Sequence, residues 1–192
     1  MSVADRRRRE RANRHDLIVA AARDLAEAEG WEAVTTRRLA DLVEYSQPVL
    51  YSHFDGKDAI VRAVAIDGFV RLAVQLRQAK SAVDEPALAL RAVCSAYLTF
   101  ATERPALYQA MFVLPIDVKF ASEDTPSPLK EAFSELVAVL KPFDPAPDLR
   151  AEVTWAALHG LSVLRRGGRI PTEGQEARID VLVSQIVNDR GG

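Results

Sequence analysis

A chain of 192 residues, 48% of them apolar, can bury one substantial core or join a small unit to a larger one. No apolar run approaches the roughly 18 residues that a bilayer-spanning helix needs, and the single cysteine, Cys94, leaves no internal disulfide framework and no Cys/His metal set. The net charge of −2 hides a division: six arginines oppose only Asp5 and Glu10 in the first fourteen residues, so the remainder carries −6.

Residues 1–13 read as a basic N-terminal arm, with Arg8, Arg9 and Arg11 as candidate phosphate contacts. The alternative is a solvated tail with no fixed role. The chain starts on charge rather than on an apolar leader, which fits a cytoplasmic protein with no membrane partner. Residues 14–60 then read as a compact head and residues 61–192 as a helical body.

Leu17, Ile18, Ala21, Ala22, Leu25 and Ala26 recur at helical spacing, and Gly30 closes that helix before Trp31. Thr35 or Thr36 caps a second helix, whose apolar face is Leu39, Ala40 and Val43. Ser46 caps a third, with Pro48 in its first turn, where a missing N–H does no harm. Val49 and Leu50 turn inward, leaving Gln47, Tyr51 and Ser52 at or near the surface. Two short helices joined by a tight turn make a helix-turn-helix, whose second helix fits the DNA major groove.

From Thr36-Arg37-Arg38-Leu39-Ala40 through Ser46-Gln47-Pro48-Val49-Leu50-Tyr51-Ser52-His53-Phe54 to Lys57, the chain resembles the TetR family of transcriptional regulators. The likeness spans about fifty residues, roughly 13–64. It implies an all-α protein: a three-helix DNA-binding head joined by a long helix to a helical effector-binding and dimerisation body. One departure stands in the turn. Val43-Glu44-Tyr45 replaces the family's common Ala-Gly-Val, so Glu44 either accepts a strained backbone or bends the turn differently.

Within the head, Thr35, Thr36 and Arg37 can meet phosphate at a helix start with hydroxyls, backbone N–H groups and charge. Ser46 opens the recognition helix. Gln47 is the candidate base reader, because its amide can pair bidentately with adenine, and Pro48 can lie against a thymine methyl. Tyr51 and His53 resemble positions that contact backbone phosphate in the family, and Lys57 adds charge at the next helix start. For Tyr51, His53 and Phe54 the plain alternative is packing.

The body reads as helix throughout. Asp55-Gly56 breaks the chain, and an amphipathic helix follows from Lys57 through Leu76. Further helices run from Pro86 to Glu103, from Pro105 to Leu114, from Leu129 to Leu140 and from Leu149 to Arg166, with a last one carrying Ile179 to Val187. Residues 115–128, with three prolines, read as a long loop. Tyr97, Phe100, Tyr108, Met111, Phe112 and Phe133 are ordinary core residues or, as the family implies, the lining of a pocket for a small apolar or aromatic effector. Trp155 and His159, four apart on one helix face, belong to a Trp…His-Gly element resembling one branch of TetR-type C-terminal domains. His159 is a satisfied core histidine, a polar group in that pocket, or a catalytic base. Gly160 in mid-helix suggests close approach by another helix. Cys94 reads as a buried hydrophobe or a redox sensor.

The expectation is a ligand-responsive regulator, a repressor that binds a pseudo-palindromic double-stranded operator as a homodimer through its last two long helices and leaves it on binding a small molecule. No cofactor, metal or enzymatic activity is expected. A helical enzyme using His159 with Glu152 or Asp148 has no nucleophile elbow or phosphate loop behind it. A ligand-binding or adaptor protein with weakened DNA affinity is the other alternative.

Overall fold

A computed structural model describes residues 2–120 and 122–189, and every regular element among them is helical. Nine α-helices follow in order among the described residues: α1 (Val3–Glu29), α2 (Thr36–Leu42), α3 (Gln47–Tyr51), α4 (Lys57–Ser81), α5 (Pro86–Glu103), α6 (Pro105–Phe112), α7 (Ser127–Leu140), α8 (Pro147–Arg166) and α9 (Gln175–Asn188). A 3₁₀ turn, Trp31–Ala33, separates α1 from α2. No helix among the described residues is long and apolar enough to cross a membrane. The chain divides into two compact units, Met1–Gly68 with Arg104–Ala121, and Phe69–Glu103 with Ser122–Gly192. The division falls inside α4, which begins in the first unit and ends in the second.

The largest departure from the sequence reading is at the start. The basic stretch is not an arm preceding helix one: it is helix one, which runs back unbroken to Val3. A capping box explains why. The Ser2 hydroxyl accepts from the Asp5 N–H at 3.1 Å, and the Asp5 carboxylate accepts from the Ser2 N–H at 3.3 Å. The arginines that follow are good helix formers, and their stretch continues without a break into the packed part of α1.

In the first unit α1 buries Ile18, Val19, Ala22, Leu25 and Ala26, and ends as its periodicity predicts. Gly30, at φ 83°, returns its N–H to Ala26 O at 2.8 Å. The unit also contains α6. Its N-terminus lacks a side-chain cap of its own, and Glu27 of α1 supplies one: its two carboxylate oxygens accept from the N–H groups of Ala106 (3.1 Å) and Leu107 (2.8 Å). Gly68 lets α6 approach α4 closely, since a Cβ there would stand 2.6 Å from Met111 Sδ.

In the second unit α5 packs against α7, α8 and α9. It is accordingly apolar over most of its circumference, burying Leu90, Val93, Cys94, Tyr97, Leu98 and Phe100. Charged brackets hold the outer helices. Arg91 bridges Asp180 and Glu176 of α9, and Arg150 joins Asp144 to Asp189. The buried Glu135 carboxylate of α7 takes Arg77 at 2.7 Å and Lys80 at 2.6 Å, both from α4. Burial raises its pKa, but the Lys80 and Arg77 hydrogen bonds outweigh burial and hold the carboxyl below its ordinary value.

Candidate nucleic-acid interface

The α2–turn–α3 segment closes over Leu39, Ala40, Val43, Leu50 and Phe54, all buried. Thr35 is the N-cap of α2, its hydroxyl accepting from the Arg38 N–H at 3.2 Å. Arg38 then forks onto Glu29 at 2.9 and 2.8 Å, fixing α2 against the end of α1. That bidentate bond lowers the Glu29 pKa and raises the Arg38 value.

Glu44 resolves the choice the sequence left open. Its φ is 56°, the left-handed conformation that glycine would adopt without strain. The turn therefore closes with glycine-like geometry, and Tyr45 N–H reaches Ala40 O at 2.9 Å. Helix α3 itself is short, five residues, and Ser46 stands at its N-cap without a side-chain hydrogen bond.

Gln47 and Pro48 are exposed at the start of α3, and Ser46 is exposed beside them. Tyr51 is 53% exposed, and its hydroxyl lies 3.5 Å from Thr36 Oγ1, so the end of α3 meets the start of α2. Arg37 is exposed next to Thr36. These residues supply an amide, hydroxyls, a phenol and a guanidinium on one compact head, groups suited to base edges and phosphate oxygens.

Other expected contacts have partners inside the head. Lys57 donates to the Trp31 carbonyl at 2.6 Å, and Arg11 donates to the Ser52 carbonyl at 3.1 Å. Arg8 and Arg9 are exposed on α1. His53 is half-buried, and its pKa is lowered first by burial and then by the charges of Arg11, His15 and Arg14. Phe54 is a packing residue, with its ring 4.7 Å from that of His15.

The residues expected to meet an effector divide between the units. Tyr108, Met111 and Phe112 lie on α6, with the Tyr108 and Phe112 rings tilted against each other, their centroids 4.8 Å apart. Tyr97, Phe100, Phe133, Trp155 and His159 belong to the second unit, where the Trp155 indole donates to the Tyr97 hydroxyl at 3.0 Å. His159 is half-buried, its pKa lowered by burial and then by Arg166. Burial pushes the Cys94 thiol up to about 12, so it is a protonated core group rather than a reactive thiolate. A separate cleft in this unit is lined by Leu98, Leu161, Arg165, Ile170, Gln175 and Arg178, with about 10 Å³ of room, enough for one water. None of the expected effector residues lines it.

Sequence reasoning missed Glu27 and the indole of Trp31, which tie α6 to the head. Trp31 was visible after the helix-ending glycine; its partner, 75 residues away, carried no local signal.

Comparison with known proteins gives a consistent outcome. A model of bacterial regulatory proteins of the tetR family matches residues 18–64, and a model of tetracyclin repressor-like C-terminal domains matches residues 90–188. An uncharacterised HTH-type transcriptional regulator of Bacillus subtilis (strain 168), YobS, is 33% identical over 95 residues, 49% of each chain, so this match spans about half of that relative. A second, Rv0681 of Mycobacterium tuberculosis (strain ATCC 25618 / H37Rv), is 27% identical over 162 residues, 80% of this chain and 70% of that one. Among solved structures, a single-residue variant of TetR from Acinetobacter baumannii AYE in complex with minocycline superposes with a TM-score of 0.64 at 18% identity, covering 91% of this chain and 97% of that one.

Proposed function

The chain belongs to the TetR family of transcriptional regulators with a helix-turn-helix DNA-binding head, and from that premise we propose that it is a cytoplasmic, ligand-released repressor acting as a homodimer on a pseudo-palindromic operator. The observation that carries this reading is the exposed cluster at the α2–α3 pair. Gln47 stands clear at the start of α3, and Tyr51 and Thr36 meet beside it. Gln47 reads a base, Pro48 packs on a thymine methyl, and Thr36, Arg37, Tyr51 and His53 hold phosphates.

Dimerisation follows from the small size of the head, which makes too few base contacts for strong discrimination alone. Exposed apolar side chains on the last two helices, Val153, Val163 and Leu164 of α8 and Val181 of α9, support them as the interface. The effector is a small apolar or aromatic molecule. The minocycline bound by the structural neighbour supports an effector of this kind, and the second unit offers Tyr97, Phe100, Phe133, Trp155 and His159 to receive it. Release requires that the effector bind the DNA-competent and incompetent states with different affinity, the difference passing along α4.

The experiment is affinity selection of genomic DNA fragments by the purified protein at moderate salt, repeated with Gln47→Ala. A recurrent palindrome lost in the variant is the expected result. A palindrome that survives Gln47→Ala removes Gln47 as the reader, and salt-sensitive binding without any motif favours a protein with weakened DNA recognition.

A further inference from the structure

The register of α1 carries an inference beyond a generic basic arm. The face that buries Ile18, Ala22 and Leu25 continues toward the N-terminus, at helical spacings of three or four, as Arg14, Arg11 and Arg7. Where the helix leaves the head, an apolar row becomes a row of arginines. Arg11 shows where that row faces, because its guanidinium donates to the carbonyl of Ser52, the C-cap of α3, at 3.1 Å. The neighbours of Ser52 are Tyr51 and His53, and the charges of Arg11 and Arg14 act on the His53 imidazole. Arg6 lies off this row and pairs with Glu10 at 3.8 Å, while Arg9 lies roughly 170° round the helix from it.

We infer that residues 3–14 form a preorganised helical arm that extends the DNA-binding surface past the recognition helix, with Arg7 and Arg14 holding backbone phosphates outside the half-site and Arg11 as the positioning residue. This rests on the regulator reading above and deepens it. The phosphate role that the sequence assigned to Arg8, Arg9 and Arg11 passes to Arg7 and Arg14. The occupant is duplex DNA because the row is cationic, exposed and continuous with the end of α3. A helix already capped by Ser2 and Asp5 meets the backbone without the ordering cost of a disordered tail.

The test compares three single variants that remove the same charge: Arg7→Ala, Arg14→Ala and Arg6→Ala. Binding to a duplex recovered by genomic selection is measured across a salt series, with circular dichroism confirming unchanged helix content. Arg7→Ala and Arg14→Ala should each flatten the slope of log K against log salt by about 0.9 per protomer, weaken all sequences alike, and shorten the hydroxyl-radical footprint beyond the motif. Arg6→Ala should change the slope by less than half as much, and Arg7→Lys should restore it. Equal losses in Arg6→Ala and Arg7→Ala would overturn the inference, because the arm would then act as diffuse charge; unchanged slopes in all three would do the same. Both results leave the regulator reading standing. A wild-type protein that binds no duplex at any salt removes that reading and this inference together.

Discussion

The indole N–H of Trp31 donates to the main-chain carbonyl of Ala106 at 2.8 Å, joining the turn after α1 to the first residues of α6. The ring is 6% exposed, and its own carbonyl accepts from Lys57 at 2.6 Å. One residue thus holds three segments of the first unit together. Trp31→Phe keeps most of the apolar ring but removes the indole donor from the Ala106 carbonyl, which keeps only its helical partner. It should cost about 1–2 kcal/mol, a fall of roughly 2–8 °C in Tm for a chain of this size. Differential scanning calorimetry reads this directly, and an unshifted Tm would mean that water replaces the indole.

Glu44 occupies the left-handed region at φ 56°, where a side chain is strained and glycine is not. Glu44→Gly should therefore stabilise the head by up to about 1 kcal/mol, with the loss of unfolded-state restriction offsetting part of the gain. Because the turn already has glycine-like geometry, operator affinity should stay within about twofold. A large change in affinity would show that Glu44 touches DNA or that the turn relaxes on substitution.

The helix-turn-helix was legible because its signals are local: Gly30 as terminator, Thr35 and Ser46 as caps, and Leu39, Val43 and Leu50 as the inward row. The helical state of the basic stretch was legible in part, since Ser2 and Asp5 have the spacing of a capping box. Six arginines outweighed that signal and read as an arm. What local pattern could not supply was pairing across the chain. Glu27 caps α6 from about eighty residues away, and Lys57 and Arg11 turn out to serve carbonyls of the head itself. The same limit applies in the body, where Tyr97, Phe133, Trp155 and His159 share one unit while Tyr108, Met111 and Phe112 belong to the other.

Glu135 makes stability pH-dependent in a definite direction. Its folded pKa lies below the ordinary value of 4.5 because Lys80 and Arg77 favour the carboxylate over the opposing effect of burial. Its contribution is therefore complete above about pH 4.5 and is lost as pH falls through the lowered folded value. Glu135→Gln should cost about 1–3 kcal/mol at pH 7, and the gap to wild type should close in acid. Urea titrations at pH 7 and pH 3.5 test this; a gap that persists unchanged at the lower pH would place the effect in packing rather than charge.

His53 makes a prediction of opposite sign for DNA binding. In the free protein burial, Arg11, His15 and Arg14 hold its pKa below 6.5, so the ring is neutral at pH 7 and above. A phosphate beside it favours the imidazolium, so the complex takes up a proton. Operator affinity should rise as pH falls from 8 toward 6 and level off below the pKa of the free protein. In His53→Gln the profile should be flatter. If the two proteins show the same pH profile, His53 is a packing residue and not a phosphate contact.

Gly160 separates intrachain packing from assembly. It lies in the middle of α8, yet a Cβ built there meets nothing within 4 Å in its own chain. Nothing in the chain therefore requires glycine, and Gly160→Ala should stabilise the isolated fold by about 0.5–1 kcal/mol. Gly160 also shares a helical row with the exposed Val153, Ala156, Val163 and Leu164. If that row faces a second copy, the closest approach of the two α8 helices falls at the glycine, and an added methyl forces them apart. The two effects then oppose each other in one variant: a higher melting temperature at low concentration and a several-fold weaker dimer by sedimentation equilibrium. Stabilisation with unchanged dimer affinity would move the crossing point away from Gly160, toward Val181 and the exposed side of α9.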